Sequence, residues 1–70
     1  MWGETPTTAQ IETDYALTAM IDPAFAARDR AWWQSRTLLQ LQIQRGYAYN
    51  LSNGELYGKI NYYIDRLLAC

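Results

Sequence analysis

The apolar positions of this chain fall on helical faces when each residue is stepped by about 100°. The longest such stretch is 23–45, which contains neither Pro nor Gly after Pro23 and would span about 34 Å as one helix. Asp22 stands before it as an N-cap and Pro23 takes the first helical position, where a missing N–H costs nothing. Gly46 follows as the expected left-handed cap, with Arg45 beside the negative end of the helix dipole. Phe25, Trp32, Leu39 and Ile43 fall on one line, with Ala24, Ala27, Ala31 and Leu38 adjoining, and this arc is the expected buried side. Arg28, Ser35 and Gln42 interrupt it and would need partners there.

A first helix is expected over about 6–21, opened either by Thr5-Pro6 or by Thr7 with Gln10 at capping-box spacing. Its apolar residues, Ile11, Tyr15, Ala16, Leu17, Met20 and Ile21, cover a wide arc. The short link to the next helix implies a hairpin in which Ala24, Ala27 and Ala31 allow close approach and Asp14 faces Arg28 and Arg30, with an ion pair expected to Arg28. The run 47–51 alternates like a strand but has no second strand to pair with, so it is read as a loop whose tyrosines cover the bundle end. Ser52 and Glu55 have capping-box spacing and open a third helix over about 53–69. Leu56, Ile60, Tyr63, Ile64 and Leu67 share its narrow apolar face, with Tyr57 and Leu68 at the edges. Glu55 and Lys59 are set for an i, i+4 pair, and Gly58 suggests a close neighbour. The fold expected is all-α, a compact three-helix bundle forming one domain over 1–70.

Composition adds reasons why so short a chain can fold. Half of its 70 residues are hydrophobic, and three Trp, six Tyr and one Phe bring large buried area per side chain. Six basic and seven acidic residues leave a net charge of −1, with no basic stripe for phosphates and no dense acid for nucleic-acid mimicry. Cys70 is the single cysteine, which excludes an internal disulfide and suits a reducing compartment, with a reduced end residue expected rather than an inter-chain bridge. The segment 1–4 is expected to be irregular, with Trp2 folded back onto the bundle, and it has neither the basic start nor the apolar run of a signal peptide. With no run long enough to span a bilayer, the expectation is a soluble, cytoplasmic protein.

Candidate chemistry is sparse. There is no histidine, which removes the usual zinc sets and His-based catalysis. Glu12 and Asp14 point to different sides of a helix, and Gly46, Gly54 and Gly58 match no phosphate loop. No catalytic residue, metal or cofactor is assigned. Helix-turn-helix reading of DNA is disfavoured, because the expected links of about one and six residues miss the usual three or four.

One stripe stands out on the polar side of the second helix: Arg30, Trp33, Thr37, Leu41 and Gln44, spaced three, four, four and three. Trp and Arg carry much of the energy at interfaces, and helix-in-groove docking uses this spacing. The stripe is read as a partner-binding face unless the 47–51 loop or the third helix covers it, with Tyr62 and Arg66 as a second candidate. On this reading Trp32 points inward and Trp33 is available. The function expected is a non-enzymatic interaction module, an accessory or regulatory protein such as a virus-encoded inhibitor, docking on a larger protein of unknown identity. A homodimer or a permanent structural subunit is the alternative, and membrane binding is not expected.

Overall fold

The computed structural model describes residues 5–69. They form four helices, α1 (Thr8–Ile21), α2 (Pro23–Gln34), α3 (Leu38–Asn50) and α4 (Gly54–Leu68), with no strand among the described residues. The lead-in with Trp2 and the terminal Cys70 lie outside the described residues.

The expected helix over 23–45 is two helices, and the break has a local cause. The Ser35 hydroxyl donates to the Trp32 carbonyl at 2.7 Å, and the Arg36 N–H turns back to the Trp33 carbonyl. Thr37 then opens α3 with a full capping box. The Gln40 N–H donates to Thr37 Oγ1 at 3.1 Å, and the Thr37 N–H donates to Gln40 Oε1 at 3.0 Å. Two orphan donors are satisfied this way, so stopping and restarting costs little. The same Thr-x-x-Gln signal opens α1, where Thr7 and Gln10 make the reciprocal pair. Of the two starts considered for the first helix, the chain uses Thr7. Asp22 caps α2 as expected, accepting from the Phe25 N–H with Pro23 in the first turn.

Gly46 does not end a helix. It lies inside α3, which runs through the supposed loop to Asn50. The left-handed residue is Ser52, at φ 53°. Its N–H donates to the Tyr49 carbonyl, and the Asn53 N–H donates to the Ala48 carbonyl at 2.9 Å. These two bonds form a Schellman closure of α3. Ser52 is therefore the stop of α3 rather than the cap of α4, a role that Asn53 takes by accepting from the Leu56 N–H.

α1 packs on α2 and α3 packs on α4, and contacts between α1 and α4 join the two hairpins. The molecule is compact, with a Cα radius of gyration of 12.2 Å and a shortest extent of 19 Å, about two helix layers. The core contains Ile11 and Tyr15 from α1, Ala26 and Trp33 from α2, Leu41 and Ala48 from α3, and Ile60, Tyr62, Tyr63 and Ile64 from α4. The expected buried arc of the second helix is thus reversed: Phe25, Trp32, Leu39 and Ile43 are exposed, as are Ala24, Ala27 and Ala31. Only Leu38 of that arc is partly buried. Of the narrow face read for the last helix, Ile60, Tyr63 and Ile64 are buried and Leu56 is partly buried, whereas Leu67 is exposed.

Gly58 marks where the segment before α1 crosses α4. A Cβ there would meet Pro6 Cδ at 2.6 Å, Pro6 Cγ at 2.8 Å and Thr5 Cγ2 at 2.9 Å. The close neighbour anticipated at this glycine is a proline ring rather than a backbone.

Candidate functional site

Two regions of α2 differ in chemistry, and both bear on function. On its inner side, α2 delivers Asp29, Arg30 and Trp33 into a polar seam shared with α1 and α4. Lys59 Nζ lies 2.7 Å from Asp29 Oδ2, and the Tyr15 hydroxyl donates to the same oxygen at 2.6 Å. The Tyr63 hydroxyl bonds to that of Tyr15, and since the one Tyr15 proton is directed at Asp29, Tyr63 is the donor. A second group forms around Glu12, which accepts from Tyr62 and pairs with Arg30 at 3.3 Å and Arg66 at 3.5 Å. The ion pair across the α1–α2 hairpin is therefore Glu12–Arg30. The Asp14–Arg28 pair that was expected does not form among the described contacts, because Arg28 faces solvent and needs no partner. Lys59 likewise turns to Asp29 rather than to Glu55.

Aromatic rings line this seam. Trp33 stacks on Tyr63, with centroids 5.7 Å apart and planes within 7°. The Arg30 guanidinium sits 4.2 Å from the centre of the Tyr15 ring, and Lys59 lies over both Tyr15 and Trp33.

The titrating groups of the seam are held in their ordinary charge states. Burial, followed by the hydrogen bond to Asp29, pushes the Tyr15 hydroxyl well above its usual pKa, and burial raises Tyr63 as well. Partial burial acts to raise Asp29, but hydrogen bonds from Lys59 and Tyr15 outweigh it and its pKa is lowered. The Tyr62 and Arg30 hydrogen bonds hold Glu12 below the usual carboxylate value. Each of these shifts leads away from neutrality, whereas a proton-transfer group works best with a pKa near the operating pH. A hollow of 240 Å³ beside Tyr15, Asp29 and Lys59 is bordered by Asp14, Glu55 and Phe25. A wider, open cleft of 890 Å³ separates the α1 N-terminus from the α3–α4 turn. Among the described residues, no cluster of His, Cys, Asp and Glu is arranged to hold a metal ion.

The outer side of α2 is different. Trp32 is 47% exposed, against 8% for the adjacent Trp33, and Phe25 lies two turns before it on the same stripe. Arg28 stands between them, and the Arg36 guanidinium covers the Trp32 ring at 4.6 Å. α3 continues the outward apolar character with Leu39, 66% exposed, then Ile43 and Tyr47 at i, i+4 and i+8. The end of α1 presents Leu17, Met20 and Ile21, the last 87% exposed. The chain's accessible surface of 5014 Å² exceeds the ~4,500 Å² typical of a folded chain of 8.1 kDa.

The stripe singled out from the sequence is mostly inside. Trp33 and Leu41 are core residues, Leu41 with no exposure at all, which removes them as anchors for a partner. α4 covers Trp33 through Tyr63, the outcome anticipated as the alternative to a docking face. Arg30 is half-buried against Glu12, Gln44 is half-buried, and Thr37 is spent as the α3 cap. Tyr62 is buried while its neighbour Arg66 is exposed, so the second candidate is a structural pair bridged by Glu12. What the sequence reading missed is the stripe through Phe25, Trp32, Leu39 and Ile43, which it had found as a line and assigned to the core.

Comparison of the chain with family models, with curated proteins and with solved structures finds no match. Among the described residues, no helix is long and apolar enough to cross a membrane.

Proposed function

We propose that this chain is a non-enzymatic interaction module, a small accessory or regulatory protein that docks on a larger protein through the outer faces of α2 and α3. One observation carries the reading. A closed core holds Trp33, while Trp32 beside it is left half-exposed together with Phe25, Leu39 and Ile43. Trp and Arg are enriched where interface energy concentrates, and here Arg28 and Arg36 flank the indole. Apolar anchors one and two turns apart are also the pattern by which helices engage protein grooves. The seam weighs the same way, since its groups are locked rather than poised for proton transfer. A chain with one cysteine suits the cytoplasm as the setting.

The break at Ser35–Thr37 removes one objection to DNA reading, because a three-residue link matches a helix-turn-helix turn. Two features still favour a protein partner. α2 and α3 make no extensive contact with each other, and the outer side of α3 offers Leu39, Ile43 and Tyr47. A permanent homo-oligomer would cover the same faces, and it is distinguished by the absence of a stable monomer on dilution.

The reading is tested by affinity purification from the native source with the intact chain and with Trp32→Ala as baits. It predicts a companion protein retained by the first and lost by the second, with helical circular dichroism equal in both. A chain that elutes alone in both cases would end it.

A further inference from the structure

The charges on either side of Trp32 in the exposed stripe, Arg28 and Arg36, are of one sign. Between Asp29 and Glu55 the sequence contains no acidic residue, and it contains three arginines, Arg30, Arg36 and Arg45. Arg30 is taken by Glu12, and Arg45 is turned inward to Asn61 at 2.9 Å. Arg36, half-buried, lies over the Trp32 ring and donates to the Ser35 hydroxyl, while Arg28, one turn before Trp32, is exposed. Among the described residues neither Arg28 nor Arg36 has a carboxylate partner, whereas Arg30, Lys59 and Arg66 all do. Of the described carboxylates, only Asp22 stands near the stripe, at the start of α2 where it accepts from the Phe25 N–H; Asp29 and Glu12 are in the seam, Asp14 on α1, and Glu55 and Asp65 on α4.

We propose, on the basis of the docking reading above, that the occupant of this face is an acidic amphipathic protein helix, whose apolar side covers Phe25, Trp32, Leu39 and Ile43 and whose carboxylates meet Arg28 and Arg36. Charge complementarity selects it. A second copy of this chain placed face to face would bring four arginines, Arg28 and Arg36 twice, to meet only two copies of Asp22, leaving two arginines without a carboxylate, whereas an acidic helix supplies one for each. Arginine's planar fork also favours carboxylates presented at fixed spacing along a helix. An anionic lipid surface would be attracted by the same arginines, but the chain as a whole is net negative and its polar sides hold few basic residues.

The test uses two synthetic helix-forming peptides with identical leucines at i, i+3, i+4 and i+7, one flanked by Glu and the other by Lys. Each is titrated into the full chain and followed by tryptophan fluorescence and sedimentation. The inference predicts that the Glu peptide binds about tenfold more tightly, as two ion pairs gained and two repulsions avoided would give. That preference should shrink with added salt and disappear in Arg28→Glu, an exposed position whose replacement leaves the fold intact. Equal affinity for the two peptides would overturn the inference and leave docking itself standing. Binding to phosphatidylserine–phosphatidylcholine vesicles with no binding of either peptide would overturn it in favour of a lipid surface. No binding to any probe would also overturn it, and the Trp32→Ala purification would then decide the docking reading separately.

Discussion

Trp33 and Trp32 are neighbours in the chain, yet they occupy two different environments. On the inner side of α2, Trp33 lies flat on Tyr63 beside a seam in which every titrating group has a partner. On the outer side, Trp32 contacts Trp33 edge-on at 5.0 Å and lies under the Arg36 guanidinium, with about half its surface in water. The contrast is that the side of α2 carrying Asp29 and Arg30 is the one turned toward the core. Asp29 and Arg30 can turn inward and be half-buried because α1 and α4 supply Tyr15, Lys59 and Glu12 to meet them, and partial desolvation of a charge is tolerable once it is paired and hydrogen-bonded. Among the described residues, the apolar side chains left on the opposite side stay exposed.

A large blow to the inner side should come from Leu41, which is fully buried in the core. Leu41→Ala is expected to cost about 2–5 kcal/mol, enough to unfold much of a marginal domain of this size, as a thermal melt by circular dichroism would report. Leu39→Ala, on the exposed side two residues away, should change the melt little. Equal losses would erase the distinction between the two sides.

Gly58→Ala comes next. Its Cβ would sit 2.6 Å from a ring carbon of Pro6, which cannot rotate away. A cost of about 1–3 kcal/mol is expected from overpacking, and Pro6→Ala should relieve much of it in the double variant. Additive losses in a double-mutant cycle would show that the segment before α1 does not hold α4 at this point.

How much of this was legible beforehand follows from how one-sided each helix is. In α4 the residues Ile60, Tyr63 and Ile64 share one narrow face, and they were read as core correctly. Asp22 and Thr7 also announced their helices by ordinary capping chemistry. α2 and α3 carry apolar residues on two sides, so periodicity offered two candidate faces and no way to rank them. The one through Phe25 and Trp32 is the broader apolar arc, interrupted by Arg28, and breadth is a poor criterion here because Asp29 and Arg30 on the other face are met by partners from α1 and α4. Thr37-Leu38-Leu39-Gln40 repeats the capping signal of Thr7-Thr8-Ala9-Gln10 and could have revealed the break. It was overlooked because no Pro or Gly interrupts the run. Gly46 misled in the opposite direction, since the left-handed stop fell on Ser52, whose residue type hid it.

Ser52→Gly sharpens that last point. A left-handed serine costs more than glycine at the same φ, so the change should stabilise the protein by about 1 kcal/mol, measured as a shift in the urea midpoint. Were Ser52 instead capping α4 through its hydroxyl, the same change would bring no gain.

The most graded effect is that of pH, which acts on the inner side alone. Asp29 and Glu12 have folded pKa values below their ordinary 3.8 and 4.5, so their contribution is present above those values and is lost as the pH falls through the lowered ones. Tyr15 and Tyr63 lie above their ordinary 10.0, so their contribution is present below about pH 10 and declines as the pH rises beyond it. Urea midpoints should therefore be flat between these limits and fall on both flanks, with the acid flank weakened in Asp29→Asn.

The account turns on which indole belongs to the fold, and urea unfolding of Trp33→Ala and Trp32→Ala side by side measures that directly. Trp33→Ala is expected to lose about 3–5 kcal/mol, and Trp32→Ala less than about 1 kcal/mol. Comparable losses in the two variants, or a larger loss in Trp32→Ala, would contradict it.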